Sequence, residues 1–167
     1  YVAMELCRIL HQGGARLIVA DVDAHRTNAA VEAFGARAVG VHEIHSAPCD
    51  VLAPCALGGV LCAGTIPGIQ ARLICGSANN QLDRIEDAVG LQQRGIVYAP
   101  DFVANAGGIC SVAAEILGIA EPAWVTSKIA ALGKTLRDVL AQAADTRETT
   151  AVIAERMAIK RISGRAA

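Results

Sequence analysis

Apolar positions recur along this chain with two different periods, and the switches between them set the expected order of elements. Val2, Leu6, Ile9 and Leu10 fall at helical spacing, with Gly13 and Gly14 as the stop. A short apolar run over 16–20 then reads as a strand that ends in acids at Asp21 and Asp23. "DAHRTNAAVEAFGA" follows as a helix, with Asp23 as N-cap and Gly35 as C-terminal stop. Further strands are expected over 36–41, 50–53, 73–75 and in "IVYAP". Between them, "HEIHSAP" and "TIPGIQ" read as helical turns, and "NNQLDRIEDAVGLQQRG" as a helix with Asn80 near its start and Gly95 at its end. Beyond Pro100 the pattern becomes helical over 106–117, 122–144 and about 147–162, and Asp145 with Glu148 has the spacing of a capping box for the last helix.

Strands alternating with helices over the first hundred residues predict an α/β fold, a doubly wound parallel sheet with C-terminal helices. The opening order of helix, strand and acid matches the back half of a dinucleotide-binding unit. The expectation is therefore a Rossmann-like sheet that is N-terminally truncated, without its first strand and the start of its Gly-rich turn.

Composition narrows the class. The chain has 167 residues, enough for one core. Apolar residues make up 53% of it but aromatics only 3%, so that core must be built from Ala, Val, Ile and Leu. The net charge of −1, with acids and bases interspersed, gives no basic footprint for nucleic acid and no polybasic face for a membrane. Glu5 and Arg8 interrupt the first residues, unlike a secretory leader, and no apolar run has the length of a membrane span. A cytoplasmic location is expected. The six cysteines match no zinc or redox spacing and are expected to be small core residues. His42 and His45 read as a solvated surface turn, so no metal site is expected.

Open parallel sheets bind ligands beyond the carboxyl ends of their strands. After the first visible strand, Asp21 could accept hydrogen bonds from the adenosine ribose and repel a 2′-phosphate, or the acids there could simply cap the next helix. After 50–53 comes "APCALGG", where small residues let backbone pass close to a flat ligand. After 73–75 comes "GSANNQL", whose adjacent amides could fix a carboxamide or carboxylate, or serve as helix caps. After the last strand, Asn105 precedes a glycine pair that opens a helix. Four consecutive strand ends of this kind point to a cofactor site. No Ser or Cys stands paired with a placed His, and no lysine occurs before Lys128, so no general base is evident.

The strings "CDVLAPCALGG", "GSANNQL", "GIVYAPDFVANAGGICSVAAEILG" and "TTAVIAERMAIKRI" resemble the nicotinamide-binding domain of the Glu/Leu/Phe/Val dehydrogenase family, nearest its leucine-acting members. The resemblance covers nearly the whole chain. It implies reversible oxidative deamination of an L-amino acid with NAD, and oligomeric assembly of the full-length protein. It places Val2 and Ala3 at the close of the Gly-rich turn, Asp21 on the ribose, and Pro54, Cys55 and Ala56 along the cofactor. It sets Asn79 and Asn105 near nicotinamide and substrate, and Ile109 and Val112 on the substrate pocket, where two branched aliphatics suit leucine, valine or isoleucine. Residues 1–144 then form an incomplete NAD-binding domain and 145–167 a C-terminal helix packed on it. The resemblance puts the general-base lysine in an N-terminal domain absent from this chain.

Overall fold

A computed structural model describes residues 2–164; the expected helix start at Tyr1 and the last three residues of the C-terminal segment lie outside the described residues. The chain is α/β, with every named strand pairing in parallel. Helix α1 spans Val2–Gln12, strand β1 Ile18–Val19 and helix α2 Ala24–Phe34. Asp23 caps α2 by accepting the His25 N–H, and Gly35 ends it in the left-handed conformation. Strand β2, Arg37–Ala38, pairs with β1.

A second sheet holds β3 (Val51–Leu52), β4 (Leu73–Ile74) and β5 (Val97–Tyr98), in that order. Helix α3, Asp87–Gln93, lies between β4 and β5 in the chain. Four helices complete it: α4 Asp101–Ala104, α5 Gly107–Ile116, α6 Pro122–Thr146 and α7 Thr150–Ser163.

The parallel sheet is in two parts: β1 and β2 pair only with each other and β3–β5 form a separate sheet, the division that the order 3-2-1-4-5-6 has when its strand 1 is taken out. The two parts are packed unequally. Leu52, Ile74 and Tyr98 on the three-stranded sheet join Leu61, Ile66, Ile69, Leu91 and Ala151 in one buried cluster. A second joins Val103, Val139, Ala143, Ile153 and Ala154 across α4, α6 and α7. Among the described residues up to 41, only Ala30 and Ala36 are buried, and α1 buries none despite its apolar stripe.

Two local readings change. The helix expected from Asn79 begins only at Asp87. Asn80 takes φ 52°, in the left-handed region, which a helix cannot continue through. The capping box does not form: α6 runs on to Thr146 with Asp145 inside it, and Thr149 caps α7 by accepting the Val152 N–H. Glu148 instead meets Arg156, with Nη1 at 2.8 Å. All six cysteines are free, half-buried thiols, of which Cys49 packs against the first cluster.

Candidate active site at the strand ends

The site is built at the carboxyl ends of β3, β4 and β5. Leu52 of β3 accepts the Cys75 N–H at 3.0 Å, and Pro54 accepts the Ala78 N–H at 2.9 Å, so the two strand ends stay zipped past the last ladder residues. Gly76 makes this approach possible. A Cβ there would stand 2.1 Å from the Pro54 carbonyl oxygen and 2.5 Å from its nitrogen, so any side chain would push the strand ends apart. Gly58 is similarly confined, since a Cβ would meet the Asn79 and Asn80 carbonyl oxygens at 2.8 and 2.7 Å. The loop carrying Pro54, Cys55 and Ala56 is thereby pressed against the loop carrying Asn79. Burial raises the Cys7 and Cys75 thiols above the ordinary range, the neighbouring Cys55 thiol adding to it.

The cap reading of the paired asparagines does not hold. Asn79 accepts a hydrogen bond from Asn105 Nδ2 at 2.7 Å, joining the loop after β4 to the end of α4. Behind this pair lies a buried polar cluster that sequence reasoning missed. Asp101 is only 9% exposed, and its Oδ2 accepts the Gln81 N–H at 3.1 Å. The Tyr98 hydroxyl donates to Asp101 Oδ1 at 3.3 Å and accepts the Asp101 N–H at the same distance. Gln81 is fully buried, its amide nitrogen donating to the Ala78 carbonyl. Burial first, then the Asp101 charge, push the Tyr98 phenol well above its usual range, so it remains a donor. The one available signal was the acid opening a helix directly after a strand, in "YAPD".

Ile109 and Val112 follow on α5, 70% and 51% exposed, with one helical turn between them. They present a bare aliphatic face beyond Asn105.

Asp21 stands apart, on the two-stranded sheet. Its Oδ1 accepts the Asp23 N–H at 2.9 Å, and Oδ2 faces the Arg26 guanidinium at 3.6 Å. Asp23 does the capping of α2, and Asp21 does not. Val2 and Ala3 open α1 and are exposed. No hydrogen bond among the described residues links them or Asp21 to the asparagine pair.

The family model for Glutamate/Leucine/Phenylalanine/Valine dehydrogenase matches residues 7–164. The chain belongs to this dehydrogenase family. It is 44% identical over 161 residues to a leucine dehydrogenase of Geobacillus stearothermophilus, covering 96% of this chain and 44% of that protein. An L-tryptophan dehydrogenase of Nostoc punctiforme is 40% identical over 163 residues, covering 97% of this chain and 46% of that one. The crystal structure of L-tryptophan dehydrogenase from Nostoc punctiforme superposes with a TM-score of 0.90 at 39% identity, over 95% of this chain and 48% of that chain. This member of the Glu/Leu/Phe/Val dehydrogenase family thus spans under half the length of these relatives. No described helix is long and apolar enough to cross a membrane.

Proposed function

We propose that this chain is the cofactor-binding part of a cytoplasmic, NAD-dependent L-amino-acid dehydrogenase that deaminates leucine, valine or isoleucine to the 2-oxo acid and ammonium. The hydrogen bond between Asn105 and Asn79 carries this reading. It unites two strand-end loops whose amides can hold a carboxamide and a carboxylate side by side.

The residues fit a dinucleotide. The Asp21 carboxylate, whose Oδ2 faces the exposed Arg26 guanidinium, suits a ribose diol and disfavours a 2′-phosphate. The close approach of Gly76 to Pro54, which leaves no room for a Cβ, supports backbone lining beside the nicotinamide half. NAD, when bound, supplies the hydride acceptor. In this chain Asp21 holds the ribose, Val2 and Ala3 close the phosphate turn, and Pro54, Cys55 and Ala56 flank the cofactor. Asn79 and Asn105 orient nicotinamide and substrate, while Ile109 and Val112 form the apolar wall for the side chain. The general base, a lysine, is assigned to sequence outside this chain.

We also infer a further parallel strand between β1 and β3, giving the order β2-β1-new-β3-β4-β5 of a doubly wound sheet. Oligomeric assembly of the full-length protein belongs to the same reading.

The test is steady-state kinetics of the full-length protein with NAD on leucine, valine, isoleucine, phenylalanine, glutamate and tryptophan, with leucine expected to give the highest kcat/KM. Equal or faster turnover of an aromatic substrate, the direction favoured by the likeness to L-tryptophan dehydrogenase, would move the substrate class. NAD binding without turnover of any amino acid would make it a binding module.

A further inference from the structure

The asparagine pair sits at the surface, Asn79 on the loop after β4 and Asn105 at the end of α4. Asn79 is exposed and Asn105 half-buried, and one hydrogen bond between flexible amides does not by itself fix either. What restrains them lies beneath. Asp101 grips both segments at once. Through its side chain it accepts the N–H of Gln81, two residues beyond Asn79. Through its main chain it accepts the N–H of Asn105, at 2.7 Å. The carboxylate thus anchors the backbone that presents Asn79, and the carbonyl anchors the backbone that presents Asn105.

The support continues inward. The Tyr98 hydroxyl occupies the other Asp101 oxygen, and the Tyr98 carbonyl accepts the Thr150 hydroxyl of α7 at 2.7 Å. Gln81 is held by its own amide bond to Ala78, which bonds in turn to Pro54. A buried carboxylate is costly unless its oxygens are occupied, so a fully engaged Asp at this place constrains every group it touches.

We propose that Asp101 is the positioning residue of this site, setting the separation and orientation of Asn79 and Asn105 without touching cofactor or substrate. The proposal deepens the dehydrogenase reading and rests on it for its kinetic consequence, though not for its geometric one.

The experiment uses the full-length protein with Asp101→Ala, which removes both side-chain bonds, and Asp101→Asn, which keeps the shape and one acceptor. Each is assayed at a temperature where circular dichroism shows it folded. Crystal structures should show the Asn105 Nδ2 to Asn79 Oδ1 separation opening beyond about 3.5 Å in Asp101→Ala, with a smaller change in Asp101→Asn. The kcat should fall by about tenfold or more in Asp101→Ala and less in Asp101→Asn, while the Kd for ADP-ribose, read by calorimetry, stays within about twofold. If Asp101→Ala does not fold, the same two readouts on Asp101→Asn decide. An intact pair in the variants, or a lowered melting temperature with unchanged kcat, overturns the proposal. Absence of amino-acid turnover in the unmutated protein would refute the dehydrogenase reading instead, and the separation of the two asparagines would then decide the positioning role alone.

Discussion

The front of the molecule, α1 to β2, and the back, β3 to α7, are built from the same kinds of residues and packed very differently. In the back, Leu52, Ile74 and Tyr98 from three adjacent strands join one buried cluster with helix residues, and Leu61, Ile74 and Leu91 are completely enclosed. In the front, two strands of two residues carry two helices, and Val2, Ile9 and Leu10 of α1 stay exposed. Yet each part supplies a piece of the candidate site: Asp21 in front, the asparagine pair behind. The back holds the fold and places the amides, while the front, which carries the proposed ribose acid Asp21, has little of the burial that stabilises the chain.

The largest expected difference tests that division directly. Ile74→Ala removes a fully buried strand side chain and should destabilise by about 2–5 kcal/mol. Ile9→Ala, on the exposed face of α1, should stay within about 0.5 kcal/mol. Urea denaturation of the full-length protein measures both. Comparable losses would mean that the α1 stripe is covered in the working protein, which would break the comparison.

Next in size is Gly76→Ala. The added Cβ cannot be accommodated by a rotating side chain, because the atoms it meets are Pro54 backbone and ring. A cost of about 1–3 kcal/mol is expected, with main-chain displacement where β3 and β4 end. The shift of the urea midpoint gives the cost, and hydrogen exchange at the Cys75 and Ala78 amides locates the damage.

The positions of these features explain what was legible in the sequence. Asp23 and Gly35 act within one helix, so their roles as cap and stop could be read locally and are seen. The strand sites were legible because buried strands in a parallel sheet are apolar runs between turn residues. Asn79 and Asn105 are legible singly as loop amides, and only the family resemblance makes them neighbours, since their contact spans 26 positions. Asp101 was passed over because an acid at the first position of a helix needs no further explanation, and its burial depends on Gln81, 20 positions away. Between Asp145 and Thr149 local preference does not discriminate, and the continuation of α6 against α7 and α5 decides the matter. The division of the sheet between β1–β2 and β3–β5 accords with the expectation of an absent first strand, since strand 1 stands between strands 2 and 4 in the doubly wound order.

Smaller, and purely functional, is the expected effect of Asp21→Asn. The neutral amide can still accept the Asp23 N–H through its oxygen, so the melting temperature should hardly move. Loss of the carboxylate should weaken NAD binding by about tenfold, or ~1.4 kcal/mol, and narrow the preference over NADP because Arg26 then faces no opposing Asp21 charge. Calorimetric titration with both cofactors checks this. A large drop in melting temperature would show that the front layer carries more of the fold than its burial indicates.

The smallest effect concerns pH and belongs to the back alone. Burial and then the Asp101 charge hold the folded Tyr98 phenol above its ordinary value, whereas in the unfolded chain it ionises near about pH 10. With the folded value raised, the contribution to stability is complete below the unfolded pKa. It is lost as pH rises through that range, since the unfolded state alone then releases its proton. Melting temperatures measured between about pH 8 and 11 should therefore fall more steeply for the unmutated protein than for Tyr98→Phe, each referenced to its own value at pH 8. Amide exchange should quicken first around Gln81, Asp101 and Thr150, the groups joined through Tyr98, while α2 in the front remains unchanged. Parallel curves for the two proteins would mean that the hydroxyl reaches water, and the buried support under the asparagine pair would lose its donor.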